Sequence, residues 1–141
     1  MIEKTITFNR DNKFDIQLSK GLVCERRLAD VFRFGEFDTT IELKSESWQW
    51  RRTGNIAIEY LNDGKPSGIA VTKADFWVHE LCDDDDKTLL YIIVPMDRLK
   101  ALARAAIRNG RSRQGGDGKR FRMAIINVSD LLTLALPGVK T

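Results

Sequence analysis

The 141-residue chain is 43% apolar and 30% charged, proportions that exclude a disordered or collagen-like polymer and fit one globular domain burying about two-thirds of its unfolded surface. No apolar run approaches the roughly 20 residues of a membrane span. The net charge of +3 is small in sum but unevenly spread.

The first residues, Met1 to Phe8, lack a signal peptide's apolar core and cleavage site, so a cytoplasmic location is expected. Cys24 and Cys82 fit no metal-ligand spacing, and both are expected to be reduced thiols. Residues about 4–8 alternate as a short strand. From about Asp15 to Arg33, Leu18, Leu22, Glu25, Ala29 and Phe32 recur at spacings of three and four, the period of a helix. Glu25 falls on that apolar stripe. A carboxylate there pays desolvation unless a cation, a metal or a donor meets it, so it is either a ligand or the partner of an arginine at the stripe's edge.

A strand is predicted over Thr39–Glu46, with Ile41 and Leu43 on one face and Glu42 and Lys44 on the other. Trp48 to Thr53 reads as a polar-aromatic connection ending at Gly54. Asn55 to Leu61 is the next strand, followed by the Asn62-Asp63-Gly64 turn and a loop through Gly68. Thr72 with Asp75 matches a capping pattern, predicting a helical turn near Lys73–Asp75. Phe76–Leu81 and Thr88–Val94 read as two strands joined by four aspartates, Asp83 to Asp86, which suit a solvated hairpin tip. His79, the sole histidine, is expected to be structural.

Pro95 suits the start of a helix running to about Arg108. Leu99, Leu102, Ala103 and Ala106 form its buried side, and Lys100, Arg104 and Arg108 form a basic ridge. Asn109-Gly110 ends it. A basic loop from Arg111 to Lys119, a strand over Phe121–Val128 and a helix over Asp130–Leu136 capped by Ser129 complete the chain. This order predicts an α/β or α+β fold with a mixed sheet flanked by helices. Between Lys100 and Arg122 stand Lys100, Arg104, Arg108, Arg111, Arg113, Lys119, Arg120 and Arg122 against Asp117, which suggests a polyanionic partner.

Hydrolysis of a phosphodiester needs a hard cation held by carboxylates and a positive group near the developing charge. A Glu-x-Lys pair on one strand face supplies a ligand and such a group together. The order helical Glu25, then Asp38, then Glu42-Leu43-Lys44 resembles the PD-(D/E)XK nuclease superfamily, which includes restriction endonucleases and Holliday-junction resolvases. The stretches Thr53–Glu59, Gly64–Ile69 and Thr72–Trp77 also look like small phage and prophage nucleases of this type. The resemblance spans roughly Gly21 to Val94. It implies a restriction-endonuclease-like domain over residues 1–141, acting as a Mg²⁺-dependent endonuclease or resolvase-like enzyme, with Mn²⁺ as a substitute. It further implies a DNA substrate, branched DNA included, in the host-cell cytoplasm if phage-encoded, with a homodimer left open.

On this reading the catalytic set is Glu25, Asp38, Glu42 and Lys44. The sequence departs from the family in placing Asp38 only three residues before Glu42. On one straight strand the two would stand about 13 Å apart, too far for one metal. Either the chain bends at Thr39-Thr40 or another acid serves. Glu59 on a neighbouring strand is the first substitute and Glu46 the second. DNA contacts are expected from Arg51, Arg52, Lys65, Arg104, Arg108, Arg111, Arg113, Lys119 and Arg120, with Trp48 and Trp50 either stacking on bases or packing on the sheet. A non-catalytic DNA-binding phage accessory protein that keeps the fold is the alternative. A protein in which Glu42 and Lys44 are only a surface pair is the third possibility.

Overall fold

Alternating and continuous apolar runs between Thr40 and Asn127 become strands, and these divide into two sheets. In the computed structural model the described residues are 7–9 and 40–135; the predicted helix over Asp15–Arg33, with Cys24 and Glu25, and Asp38 lie outside them. The first sheet contains β1 (Thr7–Asn9), β2 (Thr40–Glu46), β5 (Phe76–Cys82) and β6 (Thr88–Pro95) in the order β1-β2-β5-β6. β1 and β5 both run parallel to β2, and β6 runs antiparallel to β5. The second is wholly antiparallel, in the order β4-β3-β8-β7, from β3 (Asn55–Asn62), β4 (Lys65–Pro66), β7 (Ser112–Gly115) and β8 (Phe121–Asn127). A short helix Gln49–Thr53, a long helix Met96–Arg108 and a last helix Val128–Ala135 complete the described elements. The mixed class expected from the sequence holds: the first sheet is the mixed one, and the remaining strands form a sheet of their own.

One apolar cluster draws on both sheets and both longer helices. It joins Ile56 and Ile58 of β3, Trp77 and Leu81 of β5, Ile92 and Val94 of β6, Ala124 and Ile126 of β8, Leu99, Ala103 and Ala106 of the long helix, and Leu131 of the last. A smaller cluster on the opposite face of the first sheet holds Ile41 and Val78 with Leu43, Phe76 and Tyr91. Burying each isoleucine, leucine or valine of these clusters contributes about 1.5–3 kcal/mol.

Several local expectations are corrected. The connection after Trp48 is helical, because Gly54 at φ +69° closes the short helix and donates its N–H to the Trp50 carbonyl. No helical turn forms at Lys73–Asp75; a 3₁₀ turn lies earlier, at Gly68–Ala70, since the Thr72 and Asp75 side chains are drawn to β2 instead. The Arg111–Lys119 segment is not all loop, because Ser112–Gly115 pairs with β8 as a strand. The last helix begins at Val128, before Ser129. Its cap is Asn127, whose side-chain oxygen accepts from the Ser129 N–H at 2.9 Å and hydroxyl at 2.6 Å.

The expected turns form. Asp63 and Gly64, at φ +49° and +77°, make the two-residue β3–β4 hairpin that an Asp-Gly pair favours. The aspartate run closes the β5–β6 hairpin, with the Asp83 carboxylate accepting from the N–H groups of Asp85 and Lys87, each at 2.9 Å.

Candidate functional site

Because β2 and β5 are in register with Glu42 beside Trp77, Lys44 beside His79 and Glu46 beside Leu81, the charged face of β2 lies on the same side as Trp77 and Leu81, the side of the larger core. The sequence predicted that Glu42 and Lys44 share a face; it did not predict that this face is turned inward. As a result Glu42 is only 4% exposed.

A buried carboxylate persists only with compensating partners. The Lys44 ammonium stands 3.6 Å from Oε1 of Glu42. Oε2 accepts a hydrogen bond from the Thr72 hydroxyl at 3.1 Å. That hydroxyl itself accepts from the Ala74 N–H at 3.3 Å, so its proton is directed toward Glu42. The Thr72 carbonyl accepts from the Lys100 ammonium at 2.9 Å. Asp75 ties the same segment to the start of β2, accepting from the Thr40 N–H at 3.0 Å and hydroxyl at 2.8 Å. The segment from Thr72 to Asp75 therefore clamps the first half of β2, at Thr40 and Glu42.

Further along the same face, Glu46 is occupied by His79. The buried imidazole accepts the Trp77 indole N–H at Nδ1, 3.0 Å, which makes Nε2 the protonated nitrogen that donates to Glu46 at 3.1 Å. His79 is thus fixed in one tautomer as a link between β5 and β2, and Glu46 serves that link.

The basic ridge of the long helix starts at this site. Lys100 reaches Thr72, and Arg104 and Arg108 follow at four-residue intervals, both exposed. Four-residue steps stack on one helix face, so the ridge extends about 12 Å from Lys100.

Of the other predicted residues, Glu25 and Asp38 lie outside the described residues. Glu59 is on β3, whose neighbours are β4 and β8; the adjacency to Glu42 expected from a neighbouring strand is corrected, because the two acids stand in different sheets. Among the described residues, no three His, Cys, Asp or Glu side chains gather as a metal site would require. Of the acids predicted as ligands, the described part of this face contributes Glu42 and Glu46, and Glu46 is already taken by His79. Arg51 is exposed with Asp84 at 4.0 Å, and Arg52 lies over the Trp48 ring at 5.6 Å. Trp48 is exposed, whereas Trp50 packs inward and donates its indole N–H to the Cys82 carbonyl at 2.7 Å. Lys65 and Arg113 are exposed. Arg111 donates to the Asn55 side chain at 2.8 Å. Arg120 grips Asp63 with contacts of 3.1, 3.0 and 2.5 Å, and that carboxylate raises the guanidinium pKa further. Arg111 and Arg120 are therefore structural in part, which their positions in a basic run could not reveal.

No protein-family model, curated protein or solved structure matches the chain at a significant level. The functional reading rests on residues and geometry.

Thr72 and Lys100 are the site residues whose roles the sequence hid. Thr72 resembles a helix cap by its spacing to Asp75, and only the fold carries it to Glu42, 30 residues away in the chain.

Proposed function

We propose that the chain is a metal-dependent DNA endonuclease or junction-resolvase-like phosphodiester hydrolase centred on Glu42 and Lys44. The observation that carries this reading is a nearly buried carboxylate paired with a lysine two residues on, at the head of a cationic helix ridge. A carboxylate this withdrawn from water is a poor surface partner and a good ligand for a hard cation. Mg²⁺, when bound, would supply Lewis acidity and lower the pKa of a water. Glu42 would be one ligand, with Glu25 and Asp38 as the further acids.

The chain's own residues have separate tasks. Thr72 orients the Glu42 carboxylate through its hydroxyl. Lys44 holds positive charge where negative charge develops on the phosphoryl oxygens as water adds to phosphorus and an ester oxygen leaves with a proton. Arg104 and Arg108 neutralise phosphates along the strand and supply affinity without reading sequence.

The test is cleavage of plasmid and branched DNA with Mg²⁺ and with EDTA. Cleavage with Mg²⁺, none with EDTA, and loss in Lys44→Ala support the proposal. Absence of cleavage with metal, or full cleavage by Lys44→Ala, sinks it.

A specific observation favours the second reading, a non-catalytic DNA-binding protein on the same fold. Both Glu42 oxygens already face protein groups, Lys44 and Thr72, as in a structural ion pair. DNA binding that is unaffected by metal in a protein without cleavage selects this reading.

A further inference from the structure

On β8 the inward row runs Ile126, Ala124 and then Arg122, because alternate residues share a face. The first two are buried at 2% and 0% exposure, yet Arg122 in the same register is exposed. Gln114 of β7 and Leu61 of β3 flank Arg122 directly. The core therefore stops one step short of the sheet's end, and an open cleft replaces it.

This cleft, about 230 Å³, is lined by Leu61, Gln114, Lys119 and Arg122, by the Asp63-Gly64 turn, and by Gly118 and Arg120. Its charged groups are three cations, Lys119, Arg120 and Arg122, against Asp63. Asp63 is already held by Arg120. Among the described residues, the Lys119 ammonium and Arg122 guanidinium engage in no hydrogen bond or ion pair. The wall that carries Lys119 is also unusual. Gly118 at φ +68° and Lys119 at φ +56° follow each other in the left-handed region. A non-glycine residue in that region is strained, and such strain concentrates at ligand sites.

We infer that this cleft seats a phosphate group, with Arg122 as a planar two-donor contact, Lys119 as a point charge and the Gln114 amide as a neutral donor. Its volume is below the roughly 300 Å³ of pockets that enclose whole drug-sized ligands, which suits a small charged group more than a complete nucleotide. Arg120 belongs to the cleft's frame: its grip on Asp63 holds the β3–β4 turn against the 117–120 turn. The inference needs a phosphate-bearing ligand and does not need cleavage at Glu42.

The experiment titrates isotope-labelled protein separately with inorganic phosphate and with a short single-stranded oligonucleotide, following backbone amides by NMR. Shifts at Gly64, Gln114, Gly118 and Arg122 that disappear in Lys119→Gln/Arg122→Gln, with the Ile56 and Trp77 amides unmoved by substitution, support the seat. Response to the oligonucleotide alone assigns it to a nucleic-acid strand, and response to phosphate alone assigns it to a free phosphate. In the first case the double substitution also lowers the salt slope of oligonucleotide binding by about one. Silence of these amides with both ligands, or equal shifts in the double variant, overturns the inference. Shifts at the cleft without Mg²⁺-dependent cleavage would retain the seat and remove the nuclease reading; cleavage with a silent cleft would do the reverse.

Discussion

At the scale of single residues, the Thr72 hydroxyl decides how Glu42 is held. Thr72→Val keeps the shape but removes a donor from a buried carboxylate, a loss of about 1–3 kcal/mol to be read by urea unfolding, whereas Thr72→Ser retains most of it. If the two variants unfold alike, the hydroxyl is not what holds Glu42. Cys82 offers a pH test. Burial is the largest of the influences that raise its thiol pKa; Glu80, Asp86 and Asp83 add to it, and the Ser45 hydroxyl opposes them. A folded-state pKa above the unfolded value of about 8.5 means that unfolding releases the proton first as pH rises. The thiol's contribution is then complete below about pH 8.5 and is lost as pH climbs toward the folded value. Stability should decline through that window, and Cys82→Ala should flatten the decline; an unchanged slope would contradict it. Glu-x-Lys on one strand face was legible because alternation is local. Thr72 was not, because its partner lies across the fold.

Elements were legible where period and punctuation agree. The long helix follows its apolar stripe, with Leu99, Ala103 and Ala106 buried and Pro95 immediately before it. The strands around the aspartate run likewise match their alternating and apolar patterns. β7 was hidden because Ser112-Arg-Gln-Gly115 has no apolar face to display, and its strand character comes only from pairing with β8. The last helix's cap was misplaced by two residues because Ser129 and Asn127 are both good capping residues, and the fold chose Asn127. Asn127→Ala is expected to reduce stability by about 1 kcal/mol, while Ser129→Ala, which leaves the backbone N–H contact in place, should do less; the reverse order in thermal unfolding would place the cap at Ser129 after all. A sharper test lies at Gly68. It adopts φ +51°, and a Cβ there would sit 2.3 Å from the Glu59 carbonyl oxygen. Gly68→Ala must therefore carry backbone strain of about 1–3 kcal/mol in addition to that clash, and it should loosen the segment that carries Thr72 to Glu42. Wild-type stability in Gly68→Ala would refute this close approach.

For the whole molecule, the division into two sheets was beyond reach of local pattern, because β3 pairs with β8 across roughly half the chain and no periodicity encodes that partnership. The same distance explains why Glu59 read as a neighbour of Glu42 when it is in the other sheet. Charge segregation, in contrast, was plain from the sequence, and the fold sorts its members. Arg104, Arg108 and Arg113 are exposed, while Arg111 and Arg120 are tied to Asn55 and Asp63. Neutralising Arg104, Arg108 and Arg113 together should lower the slope of log affinity for DNA against log salt by about one per lost phosphate contact with little change in stability. An unchanged slope would remove this surface from the DNA interface. The proposed chemistry at β2 is read from the rate of Mg²⁺-dependent DNA cleavage at saturating DNA, measured for the wild type, Glu42→Gln and Lys44→Ala with folding checked by circular dichroism. Both substitutions should cut the rate at least about a hundredfold, the scale of losing a charge-stabilising group, while DNA affinity stays near wild type. Cleavage by either folded variant at the wild-type rate would contradict a catalytic role for the Glu42–Lys44 strand.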